Sequence, residues 1–137
     1  MVKYAMGETA SERVERFRRR RFETLVARAL DGLPPHIVAM LDNVEIVVED
    51  EPTPEQRGHH GDDDATLFGL YEGIPLVARD AGYAMTLPDR IIIFRRPLER
   101  ACRSPAEIAR EVRITVLHEL GHHFGFDEDR LEELGLG

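Results

Sequence analysis

The sequence predicts an α+β fold, a few-stranded mixed sheet packed on one long helix, with further helices on the N-terminal side. Three observations predict it. Apolar residues recur at helical spacing over 11–30 and again over 105–124. Short β-branched runs, VEIVVED at 44–50 and RIIIFR at 90–95, lie between those stretches. The 137 residues suffice for one domain with a small core, and nothing repeats internally.

Each element has its own warrant. Residues 1–10 read as a loose leader. SERVERFRRRRFETLVARAL predicts a helix from Ser11, its N-cap, to Leu30, with Val14, Phe17, Leu25, Val26, Ala29 and Leu30 near one face. Gly32 and Pro34 stop it. The basic run Arg18–Arg21 reads as a solvated helix face beside glutamates. A second short helix starts near Pro35, where His36 is an ordinary helix-start residue. VEIVVED is a strand. Residues 51–66 lack periodicity and are rich in turn formers, which predicts a long loop. Within it, His59, His60 and Asp62–Asp64 read as a solvated segment. LFGLYEGIPLV, 67–77, gives a strand, a turn and a second short strand. RIIIFR is the clearest strand, and its apolar centre predicts burial on both faces. A polar link follows Pro97. Ser104 then caps a helix with Pro105 at its first position and Glu107 at its third, a complete capping box. Ile108, Val112, Thr115, Leu117 and Leu120 supply its apolar stripe. Gly125 ends it, and DEDRLEELG forms a short final helix.

Composition narrows the function. A formal charge of -8 excludes general nucleic-acid binding, which wants a basic surface. No apolar run approaches the roughly 18 residues of a membrane span, and the N-terminus turns polar too soon for a signal peptide. The single cysteine, Cys102, permits neither an internal disulfide nor a thiolate metal site. A cytoplasmic protein is expected. Nearly all its basic residues are arginine, which reads as a genomic habit and carries no function.

The chemistry is concentrated in HELGHHFGFDED, 118–129. His118 and His122 are four residues apart, so they share a helix face and can bind one zinc ion. Glu119 stands beside that pair, within reach of a water held on the metal, where a general base belongs. A catalytic zinc site usually takes a third protein ligand. Gly125 can adopt a left-handed conformation and turn the chain so that Glu128 comes back under the metal; Asp127 and Asp129 are the neighbouring candidates. A glycine and an acid at these offsets make coincidence far rarer than HExxH alone. His123 lies about 140° around the helix from His118, so it packs beside the site and does not share the ligand face. Gly121, inside the helix, points to close approach of a strand or loop.

HELGHHFG followed by an acid and a short terminal helix resembles the minimal zincin-like metallopeptidases of bacteria. RFETLVARALDGLP, LDNVEIVVEDEP, LFGLYEGIPL and LPDRIIIFRRPLE are similar to that family's segments. The resemblance runs from about Arg16 to the end, setting residues 1–15 apart as a leader and 16–137 as a single domain. It implies a small zincin-like α+β domain with zinc-dependent peptidase activity. The HExxHxxGxx(D/E) pattern is also similar to that of the metzincins. By that match His118, His122 and Glu128 are the zinc ligands and Glu119 the base. An acid stands where metzincins carry histidine, which adds negative charge and weakens the metal as a Lewis acid.

The leading expectation is therefore a zinc metallopeptidase acting on a peptide or protein substrate, through a metal-bound water with Glu119 as general base. An extended peptide would add to an edge strand such as 83–88. Tyr71 and Tyr83 are candidate oxyanion donors. The second expectation is a non-catalytic metal-binding zincin scaffold, favoured by the few residues that follow Glu128. A third, an anionic-partner module built on Arg18–Arg21, runs against the overall charge.

Overall fold

Ile91, Ile92, Ile93 and Phe94 are all fully buried. They form the central strand of a three-stranded sheet, covered on both faces as an uninterrupted apolar run requires. The computed structural model describes residues 7–60, 67–73 and 89–125, together with Asp129 and Glu133. Strand β1 (Val44–Glu49) lies parallel to β3 (Asp89–Phe94), with Val44 opposite Asp89. Strand β2 (Gly69–Glu72) runs antiparallel on the other side of β3, with Tyr71 opposite Ile91. The sheet is mixed, in the order β1-β3-β2. Around it are α1 (Ala10–Asp31), α2 (Pro35–Met40), α3 (Pro54–His60), α4 (Arg95–Ala101) and α5 (Pro105–His123). The architecture is α+β.

The two faces of β3 serve two cores. Ile91 and Ile93 pack with Phe22, Val26 and Ala29 of α1 and with Val112, Val116, Leu117 and Leu120 of α5. Ile92 and Phe94 face the other way and meet Leu67. The histidine-bearing helix is thus held between the sheet and α1. Among the described residues, no helix is long and apolar enough to cross a membrane.

Several local expectations are corrected. Helix α1 is capped by Thr9, not Ser11. The Glu12 N–H donates to Thr9 Oγ1 (3.1 Å) and the Thr9 N–H to Glu12 Oε1 (3.0 Å). Thr9 wins because it alone has a glutamate three residues on, closing both halves of a capping box. The apolar stripe of α1 is also displaced. Phe22, Val26 and Ala29 are buried, while Val14 and Phe17 are 49% and 62% exposed. The first half of α1 is held by polar contacts instead: Arg19 Nη2 donates to Val48 O (2.6 Å), and Glu15 reaches Arg95.

The loop expected over 51–66 contains α3. Thr53 and Gln56 form another reciprocal cap, Thr53 N–H to Gln56 Oε1 at 2.7 Å and Gln56 N–H to Thr53 Oγ1 at 3.1 Å. Helix α3 has no apolar stripe, so a search for periodicity passes over it. The polar link after Pro97 is likewise part of a helix, α4. Pro97 lies in its first turn, where a missing N–H costs nothing because no carbonyl waits for it. At α5 the Ser104 half of the capping box forms, but Glu107 Oε2 accepts from the Arg103 N–H rather than from Ser104.

Arg95, the first residue of α4, is only 2% exposed and still charged. Its Nε donates to Asp50 Oδ1 (2.9 Å), Nη1 to Glu99 Oε1 (3.1 Å) and Nη2 to Glu15 Oε2 (2.7 Å). Burial opposes the charge, but the hydrogen bonds to Asp50 and Glu15 and the Glu99 charge outweigh it, and the guanidinium pKa is raised. One side chain therefore ties α1, the end of β1 and α4 together.

Candidate metal centre

Helix α5 ends as its sequence dictates. The Phe124 N–H still reaches Leu120 O (3.0 Å), and the Gly125 N–H falls back to His122 O (3.2 Å). Gly125 then takes φ +78°, the one positive φ among the described residues. A Cβ there would meet nothing within 4 Å, so the need for glycine is purely conformational. The left-handed conformation expected of Gly125 is present.

His118 and His122 lie one turn apart just before that turn. Their ring centroids are 4.3 Å apart and the planes are tilted by 41°. His118 is half-buried and His122 exposed. Glu119, between them in sequence, is 8% exposed and turned towards the sheet. Its Oε1 accepts the Tyr71 N–H at 2.8 Å. Strand β2 presents that donor because of its pleat: Phe68 O accepts the Phe94 N–H (2.9 Å), so the Tyr71 N–H, three residues on, points to the opposite edge.

What lets β2 come so close is Gly69. A Cβ there would lie 2.6 Å from Thr115 Cγ2 of α5 and 2.9 Å from Ile92 O. Gly121 is buried as well.

His123 points away from the pair formed by His118 and His122. Its ring stacks on Tyr71 (centroids 3.9 Å, planes 15° apart), and its Nε2 is 3.6 Å from Asp89 Oδ2. The Tyr71 hydroxyl donates to the same Asp89 oxygen at 2.8 Å. The phenol that the sequence offered as an oxyanion donor is thus engaged with Asp89. Tyr71, Asp89 and His123 together brace the last turn of α5 against β2 and the start of β3. Asp89 was not legible as part of the site. It is one acid at the head of a strand, and only the antiparallel register of β2 brings it under Tyr71.

Glu128 and Asp127, candidates for a third ligand, lie outside the described residues, as do Tyr83 and the proposed edge strand 83–88. Asp129 is helical and exposed. Among the described residues, no group of three or more histidine, cysteine or acidic side chains is poised around one point. The described donor set is therefore two imidazoles, with an anchored carboxylate between them in sequence.

A model of the zincin-like metallopeptidase family matches residues 41–137. The chain belongs to that family. No curated protein matches it significantly. The match takes in β1, α3, β2, β3, α4 and α5, and so the described residues of the site. Helix α1 lies outside it, although Phe22, Val26 and Ala29 complete the core of the zincin-like domain.

Proposed function

We propose that this protein is a zinc-dependent metallopeptidase that hydrolyses peptide bonds, with Glu119 as its general base. The observation that carries the reading is the placement of Glu119. It lies in sequence between two histidines that share one helix face, and one of its oxygens is fixed by the Tyr71 N–H. Two neutral imidazoles are the nitrogen donors a borderline-soft divalent cation prefers, so the residues present fit zinc. His118 and His122 would hold it, with Glu128 as third ligand. Zinc there would supply Lewis acidity, polarising the scissile carbonyl and acidifying a water molecule.

The rest falls to the chain's own residues. With Oε1 anchored, Glu119 cannot swing freely, and Oε2 is the atom left to take a proton from the attacking water. It then delivers that proton to the leaving amine. A rigid base costs less to align than one on a mobile loop. The substrate is a peptide or protein; the acidic surface disfavours nucleic acid.

The same burial and hydrogen bond also suit a structural carboxylate, which supports a second reading: a metal-binding scaffold without catalysis. Incubation with an unstructured protein, with and without a chelator, separates the two. Metal-dependent cleavage that is lost in His118→Ala is the expected result. Zinc bound tightly with no cleavage of any peptide would favour the scaffold.

A further inference from the structure

We propose that a groove between α1 and the start of α5 docks an acidic, amphipathic segment of a partner protein. The groove has a volume of about 820 Å³. Phe22, Leu25 and Ile108 give it apolar surface, and Phe17, 62% exposed, stands at its edge. Arg21 and Arg28 of α1 line it, and Arg103, just before α5, lines it from the facing side. Along α1, Phe17, Arg21, Leu25 and Arg28 follow one another at intervals of three or four residues, so apolar and cationic side chains alternate down one face.

Charge complementarity selects the occupant. Arg16, Arg19, Arg90, Arg95, Arg96 and Arg100 each pair with a carboxylate. The guanidinium groups of Arg21, Arg28 and Arg103 have no carboxylate partner among the described residues. Glu99, the one acid lining the groove, is held by Arg95. Three cations without a carboxylate partner among the described residues thus line one groove on a chain whose formal charge is -8. Arginine and exposed aromatic side chains are the residues that most often dominate binding at protein interfaces. The apolar surface between them has no use for a phosphate backbone, and the net negative charge repels a long polyanion. A short protein segment carrying both carboxylates and apolar side chains satisfies both halves of the groove. Ile108 lies ten residues before His118 on the same helix, roughly 15 Å along its axis. The docked segment therefore leaves the histidines uncovered, and the proposal does not depend on the metallopeptidase reading.

Fluorescence anisotropy with a labelled amphipathic peptide rich in Glu and Leu tests it, against the same peptide with every Glu replaced by Gln. The acidic peptide should bind the full chain, and more weakly as salt rises. The double variant Arg21→Glu/Arg28→Glu should weaken binding about tenfold or more, and Phe17→Ala should weaken it too. All three side chains are exposed, so melting temperature and zinc binding should stay at wild-type values. Equal affinity for the Gln peptide, or wild-type affinity in the double variant, would overturn the proposal. So would tighter binding of a single-stranded oligonucleotide or of phosphatidylglycerol vesicles, since either would name a different class of partner.

Discussion

Two substitutions of one residue separate what Glu119 does for the fold from what it does in the proposed reaction. Glu119→Ala removes the acceptor of the Tyr71 N–H in a site that is only 8% exposed. An unsatisfied backbone donor there costs about 1–3 kcal/mol. For a domain of this size that lowers Tm by roughly 4–12 °C. Glu119→Gln keeps a carbonyl oxygen in the same position and loses only the charge assistance, about 1 kcal/mol or less. Its Tm should fall by no more than roughly 4 °C. Both variants lose the proposed base, so kcat/KM for peptide cleavage should drop about 10²–10⁴-fold in each. The assays are thermal unfolding by circular dichroism and cleavage of a quenched fluorescent peptide by zinc-loaded protein. A Gln variant with wild-type kcat/KM would remove Glu119 from the chemistry. An Ala variant that melts with the wild type would remove the anchor on Tyr71 from which its role was argued.

Three further outcomes follow from the same geometry. Gly69→Ala puts a methyl group 2.6 Å from Thr115 Cγ2 and 2.9 Å from a backbone oxygen that cannot move aside; it should cost about 1–3 kcal/mol in denaturant unfolding, partly recovered by Thr115→Ser. Gly125→Ala has space but must hold φ near +78°; the strain of about 1–2 kcal/mol should show as weaker zinc binding by competition with a chelator, more than as a lower Tm. Arg95→Met leaves Asp50, Glu15 and Glu99 without their shared cation. The Arg95 hydrogen bond holds the Asp50 carboxyl below its ordinary pKa. A carboxylate depressed in the folded state stabilises above its unfolded pKa, about 3.9, and that contribution is lost as pH falls through the folded value. The variant should therefore be less stable at neutral pH and show a shallower loss of stability below pH ~4, read from Tm across an acid series.

How much of this was legible beforehand depended on whether a feature left a local signature. The uninterrupted run Ile91–Phe94 announced a strand buried on both faces, and Ser104-Pro105 followed by an apolar stripe announced α5. Spacing alone put His118 and His122 on one face and His123 off it, and Gly125 was readable as the turn. Helix α3 was missed although Thr53-Pro54-Glu55-Gln56 carries the same start signal as α5, because its sequence has no apolar stripe. Phe17 was read into the core because helical spacing fixes which residues share a face, not how far along the helix the core extends. The anchoring of Glu119 was not readable at all. It depends on which edge the Tyr71 N–H faces and on a glycine 50 residues before it in the chain, and both are properties of the assembled sheet.

That dependence gives the site its physical character. Helix α5 is fixed from two sides: Val112 and Val116 join the core shared with Phe22, Val26 and Ala29 of α1, while Thr115 is pressed against Gly69 of β2. A helix gripped on both sides has little freedom to rotate about its axis. A rotation that moved His118 and His122 would also pull Glu119 from Tyr71 and His123 from its stack. The helix positions that carry the two imidazoles and the carboxylate are therefore held in one fixed relation by the packing on both sides. In the proposed reaction, a base held in this way would cost less to align than one on a mobile segment. Helix α1, outside the family match, supplies one of the two walls that keep the motif helix from turning.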